Sequence, residues 1–266
     1  MRPLKWSRET ISPAHLYDVG SWGSNRTGGI VPTRSLYQIL ATARRDNYPA
    51  LMVDIKRRSP RDGELISEAR FDSYVRALGE AGVPALSMPT DAAHFGGSVA
   101  LARRVTRLCE VPLMRKEFFT SVGQMDESRA AGFDAVQLSL GTIPDPTLFD
   151  AMRSRAEAIG LEVVIGAHGR AQLDRAIALG ADAIGLNNRD IAALELDDGT
   201  VGASESLIPL VPRGVLVISE SGLRSASDVH RAAQAGANAV LIGTAASKSP
   251  DPVGWLRSLR EPVRSS

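Results

Sequence analysis

The chain has 266 residues, of which 44% are hydrophobic and 23% charged, the balance of an ordinary globular protein. Its 31 Lys and Arg nearly match its 30 Asp and Glu, leaving a formal charge of +1. That evenness gives no reason to expect nucleic acid as a main partner and argues against an acidic tail or a disordered class.

The opening MRPLKWSRETISPAH has no apolar core, so no secretory leader is expected. No apolar run is long enough to span a bilayer, so no membrane partner is expected either. The single cysteine, Cys109, rules out an internal disulfide and a cysteine-based zinc cluster, and a reducing cytoplasm is the simplest setting. Histidines occur only at 15, 94, 168 and 230, without close spacing, so no metal site is expected.

Residues 1–48 precede the first strand-like run. Within them SLYQILATARR (35–45) has helical spacing and predicts a helical extension lying against the main domain, 49–266. Eight short β-type runs follow: PALMVDIK (49–56), VPALSM (83–88), VPLMRK (111–116), FDAVQLSL (133–140), LEVVIGA (161–167), ADAIGLN (181–187), GVLVISE (214–220) and ANAVLIG (237–243). Helix-like segments separate most of them, and VGWLRSLR predicts a last helix in the tail. Strands alternating with helices predict a parallel sheet.

A weak repeat, Ala/Leu-Gly-x-x-Ala-apolar, recurs at Gly82, Gly132, Gly180 and Gly236. Each Gly stands where a helix would end, in the left-handed position that Gly tolerates, and each is followed directly by a strand. One further strand falls in each interval. Such even spacing of eight βα units favours a closed (β/α)8 barrel over an open sheet, and the length is near the ~250 residues typical of that fold.

In this fold the chemistry lies at the C-terminal ends of the strands. The first run ends in Asp54 and Lys56, which share a face because strand side chains alternate. The third ends in Lys116, and the sixth in Asn187 with Arg189 beyond. The seventh ends in Glu220, Ser221 and Gly222, the eighth in Gly243 and Thr244. Two lysines, two carboxylates, an amide and a guanidinium would converge on one mouth, and the glycines after the last two strands suggest a phosphate site. The first loop, RRSPRDGEL, carries Ser59 among basic residues and is expected either to close over an anionic substrate or to stay solvated.

The segments DIKRRSP, HFGGS, PLMRKEF, GLNNRD, ISESG and LIGTA stand in the order and spacing of the indole-3-glycerol phosphate synthase family, which the chain resembles from about residue 49 to 258. The resemblance implies a (β/α)8 barrel that closes an anilino-deoxyribulose phosphate into an indole, with loss of CO2 and water and without cofactor or metal. It implies a small sugar-phosphate substrate, a cytoplasmic setting, and a monomer or weak homodimer. It implies Lys116 as general acid, Lys56 at the substrate carboxylate, and Asp54 and Glu220 as further catalytic groups. Asn187, Arg189, Ser221 and Phe95 would line the substrate, and Ser59, Gly222, Gly243 and Thr244 the phosphate. Cations near Lys116 are expected to lower its pKa, which would suit proton donation near neutrality.

The chain departs from the family's pattern in two places. Asp54 stands where the family has Glu, one methylene shorter. Gly166 stands where strand five of the family carries a catalytic Glu. Glu162 lies four residues earlier, near the expected barrel floor, and His168 lies two beyond Gly166, where it could reach inward. A histidine at a loop start is more often structural. Gln137 and Ser139 occupy positions that are apolar in the family. These departures predict slow or absent turnover relative to a member with both glutamates. They keep two alternatives open: a divergent paralogue acting on a related sugar-phosphate adduct, and a barrel that binds without turnover.

Overall fold

A computed structural model describes residues 34–44, 48–197 and 199–260. Eight parallel strands close into a barrel: β1 (Ala50–Asp54), β2 (Ala85–Pro89), β3 (Leu113–Lys116), β4 (Ala135–Ser139), β5 (Glu162–Ala167), β6 (Ala183–Asn187), β7 (Leu216–Glu220) and β8 (Ala239–Ile242). All eight fall on the runs read from the sequence. The four repeat glycines have φ of 68°, 90°, 63° and 109°, so each does end a helix in the left-handed region.

The period-two alternation sorts the apolar residues into two cores. Outward positions such as Leu51, Val53, Leu86, Val136 and Ile165 join the surrounding helices in one large cluster. Inward positions such as Met52, Met114, Val164, Ile218 and Leu241 fill the barrel itself. At the next level towards the strand C-termini the inward residues change character to Asp54, Ser87, Lys116, Gln137, Gly166, Gly185, Glu220 and Gly243. The barrel is therefore dry at its lower end and polar at its upper end.

The helical extension predicted over 35–45 is α1 (Leu36–Ala43), and its Leu36, Tyr37 and Leu40 belong to the interior cluster. This helix closes the barrel's lower end, opposite the strand C-termini. Ser35 caps it by accepting from the Gln38 N–H and donates to Glu162 Oε1 at 2.5 Å. The Tyr37 N–H donates to Glu162 Oε2 at 3.0 Å, and the Tyr37 hydroxyl donates to the Val163 carbonyl at 2.6 Å. Burial pushes the Glu162 carboxyl up to about 7, despite the donors at the start of α1 that favour its charged form. The rest of the predicted extension, 1–33 and 45–47, lies outside the described residues. Among the described residues no helix is long and apolar enough to cross a membrane.

Candidate active site

The barrel's upper end opens into two adjoining lobes. Asp54, Lys56, Lys116 and Glu195 line both and form the partition between them. One lobe is walled by Phe95, Phe118 and Ile191 on its apolar side and by Gln137, Ser139, Gly166, His168 and Asn187 elsewhere. Phe95 and Phe118 stack with centroids 6.2 Å apart, and the Lys56 ammonium sits 5.0 Å from the Phe95 ring centre. The other lobe is lined by Arg189, Ser221, Gly222, Gly243, Thr244 and Lys248, with Arg61 and Arg224 at its edge.

Lys116 and Glu220 hold the centre. They stand on β3 and β7, on opposite sides of an eight-stranded ring, yet the Lys116 Nζ donates to Glu220 Oε2 at 3.0 Å. Gln137 Nε2 donates to the other oxygen, Oε1, at 2.6 Å. Glu220 has no solvent exposure, so both of its oxygens are fixed. These bonds need the inner wall to be bare at β6. A Cβ at Gly185 would stand 2.2 Å from Glu220 Oε1 and 2.5 Å from Gln137 Nε2. A Cβ at Gly166 would meet Gln137 Nε2 at 3.4 Å and Ser139 at 3.3 Å. A Cβ there would touch the Gln137 amide without displacing it and press only slightly on Ser139.

Lys116 differs from expectation. Burial alone would favour its neutral amine, but the carboxylates of Glu220, Asp54 and Glu195 outweigh burial and hold its pKa above the ordinary lysine range. The expected lowering by neighbouring cations is corrected: the groups that dominate its surroundings are anions. Asp54 is bonded to Ser87 rather than to Lys56. Its Oδ1 accepts from the Ser87 hydroxyl at 2.5 Å, and its Oδ2 stays 3.9 Å from the Lys56 ammonium. Lys56 instead donates to Glu195 Oε2 at 2.8 Å.

Glu195 escaped the sequence reading. It lies in the loop after β6, buried at 5% exposure, with its other oxygen 3.3 Å from the Ser221 hydroxyl. Leu194 and Glu195 both have φ of 56°, a left-handed pair of non-glycine residues that turns the carboxylate into the mouth. Burial pushes its carboxyl up, but Lys56, Lys116 and Arg189 pull it down further, to about 2. A carboxylate in a loop after a strand end was the available signal; the backbone turn that aims it is not written in residue types.

The second lobe is suited to an anion. Arg189 is buried at 9% exposure, and its Nε has no acceptor among the described residues. Ser221 and Gly222 have φ of 64° and 72°, and a Cβ at Gly222 would stand 2.5 Å from the Gly199 carbonyl oxygen, so only glycine fits. Ser59 lies outside the lining of this lobe. It forms part of a two-residue hairpin pairing Arg58–Ser59 with Gly63–Glu64, and its hydroxyl bonds Asp62 Oδ2 at 3.1 Å. Asn187 lines the first lobe, and its Oδ1 accepts from the Arg189 N–H at 3.1 Å. The structure therefore gathers Asp54, Lys56, Phe95, Lys116, Asn187, Arg189, Ser221, Gly222, Gly243 and Thr244 around the two lobes, with Glu220 beneath, and leaves Ser59 aside.

Residues 23–259 match the sequence profile of the family described as indole-3-glycerol phosphate synthase. The chain belongs to the indole-3-glycerol phosphate synthase family. A relative of that name from Thermococcus kodakarensis is 36% identical over 214 residues, covering 80% of this chain and 92% of its own. One from Pelodictyon phaeoclathratiforme is 37% identical over 224 residues, covering 84% and 85%. Among solved structures, an N-acetylmannosamine-6-phosphate 2-epimerase from Clostridium perfringens superposes with a TM-score of 0.61 at 14% identity, over 82% of this chain and 93% of that one. At that identity the likeness is of the barrel alone. For an indole-3-glycerol phosphate synthase family member, the two lobes on either side of a central lysine are the feature to explain.

Proposed function

We propose that this barrel carries out its family's ring closure, converting an anilino-deoxyribulose phosphate into indole-3-glycerol phosphate with release of CO2 and water. The observation that supports it is the placement of a protonated lysine, Lys116, between a lobe with stacked aromatic walls and a lobe with a free guanidinium donor. The substrate has the same division, with an aryl ring at one end, a phosphate at the other and a ketone between them.

In this reading the aryl group lies against Phe95 and Phe118, and the phosphate meets Arg189 and the backbone at Gly222 and Gly243. Lys56 receives the aryl carboxylate. Glu195 already occupies that ammonium, so the incoming carboxylate shares it or takes its place. The aryl carbon bearing the carboxylate attacks the ketone carbon. The carbonyl π pair moves to oxygen, which takes a proton from Lys116. A lysine kept charged by three carboxylates still delivers that proton, because a developing alkoxide is far more basic than an amine. The bond to the carboxylate then breaks, CO2 leaves, and its electron pair restores the aromatic ring. Loss of the hydroxyl completes the indole. Glu220, held by Gln137, keeps Lys116 aimed at the partition.

The test supplies the anilino-deoxyribulose phosphate to purified protein and follows indole fluorescence. Turnover that Lys116→Ala abolishes is the expected result. Tight binding without product would favour a barrel that binds only, and turnover of a related adduct in preference to this one would favour a paralogue with another substrate. The family match and the relatives' names favour the ring-closing reading over both.

A further inference from the structure

The last step requires a proton acceptor that the lysines cannot supply. After decarboxylation the five-membered ring carries a hydroxyl on the former ketone carbon and a CH2 between that carbon and nitrogen. The C–O bond breaks and its pair leaves with oxygen, which takes a proton and departs as water. A proton leaves the CH2, and the C–H pair becomes the new ring double bond. The group that accepts this proton must hold a free lone pair in the first lobe.

Each carboxylate there is paired with a donor or a cation. Glu117 accepts from the Thr90 hydroxyl at 2.5 Å and the Phe118 N–H at 2.8 Å. Asp91 caps the short helix Ala92–Phe95 by accepting from the His94 N–H at 2.6 Å. Asp54 accepts from Ser87 through Oδ1 and has the Lys56 ammonium 3.9 Å from Oδ2, Glu220 is bonded to Lys116 and Gln137, and Glu195 to Lys56. Strand β5 offers only Gly166 at its inward position.

His168 is different. It lines the same lobe just beyond β5, and its Nδ1 lies 2.9 Å from the Asn187 carbonyl oxygen. A carbonyl can only accept, so Nδ1 carries a proton, and in the neutral ring Nε2 then keeps the lone pair. Among the described residues no hydrogen bond reaches Nε2. The backbone is held as well: the His168 N–H donates to Gln172 Oε1 at 2.8 Å, and His168 is the N-cap of the helix Gly169–Ala178.

We infer that His168 Nε2 is the base of the dehydration, taking the CH2 proton while Lys116, which regains a proton from water at the open mouth after ring closure, protonates the departing hydroxyl. The inference rests on the ring-closure reading above. Both groups are reset by exchange with water once product leaves.

His168→Asn tests it, because an asparagine amide can keep a donor towards the Asn187 carbonyl while removing Nε2. In single turnover this variant is expected to release CO2 near the wild-type rate but to form indole about 10²–10³-fold more slowly, accumulating the hydroxylated ring. Added imidazole is expected to restore indole formation to His168→Ala in proportion to its concentration, which a purely structural role would not allow. Indole formation by His168→Asn within about threefold of wild type would overturn the inference alone, since losing a general base costs at least about 10²-fold. So would CO2 and indole falling together, or no rescue by imidazole. Wild-type protein that released neither CO2 nor indole would overturn the ring-closure reading, and this inference with it.

Discussion

The floor and the mouth of this barrel are built on the same eight strands, two residues apart, yet they use charge in opposite ways. At the floor the inward side chains are Met, Val, Ile, Leu and Ala, and α1 seals them with Leu36 and Leu40. At the floor the Glu162 carboxylate meets the start of a helix and has its pKa pushed up to about 7, so burial wins. At the mouth Glu195 is buried more deeply than Glu162 but faces two ammonium groups and a guanidinium, and its pKa falls to about 2, so the cations win. A buried carboxylate is neutral or charged according to what faces it, not according to how deep it lies. The floor accordingly serves stability and the mouth serves chemistry.

The sharpest break in that comparison is Lys116→Ala. It removes the proposed acid and leaves Glu220 buried without its cation. Turnover of the anilino-deoxyribulose phosphate is expected to fall by at least about 10³-fold, and unfolding in urea should show a loss of roughly 3–5 kcal/mol. Stability unchanged by this substitution would show that the fold does not depend on the Lys116–Glu220 pair. Next is Gly185→Ala, which places a methyl group within the Gln137–Glu220 contact. A drop of about 10²-fold in kcat is expected from misplacing Glu220, read against a KM that moves much less.

Leu40→Ala probes the floor. A cavity under the barrel should cost about 2–5 kcal/mol while kcat/KM at a temperature where the protein stays folded remains within twofold to threefold of wild type, an interval far smaller than the effect of losing an acid or base. A large activity loss here would mean that the plug shapes the mouth.

Glu162→Gln gives the smallest effect, and its sign depends on pH. The folded pKa of about 7 lies above the ordinary 4.5, so between those values the folded state holds a proton that the unfolded chain has released. The stabilising contribution of the protonated form is complete below about 4.5 and is lost as pH rises through about 7, worth at most roughly 3 kcal/mol. Wild type is thus expected to lose stability relative to Glu162→Gln between pH 5 and pH 8, measured as the difference in unfolding free energy. Two parallel curves would show that Glu162 stays charged at the floor.

Much of this molecule is written in local pattern. The strands follow from alternation, the helix ends from four glycines, and the mouth from the rule that polar residues at strand C-termini face one opening. Lys56, Lys116, Asn187 and Glu220 could be placed together on that basis, and the helical spacing of 35–45 made α1 expected. Which end of the barrel α1 would cover could not be read, because Leu36 and Leu40 would suit any apolar opening.

Three features needed the folded chain. Glu195 reaches Lys56 only because two successive residues turn left-handed, a backbone state that Leu and Glu do not advertise. Gly185 reads as an ordinary strand glycine until its Cβ is seen to fall inside the Gln137–Glu220 contact. The charge of Lys116 depends on carboxylates contributed by β1, β7 and the loop after β6, far apart in sequence and close only across the ring. Alternation and turn chemistry act between near neighbours and survive in the residue order. Electrostatics and packing act through space, so their outcome is decided only when the barrel closes.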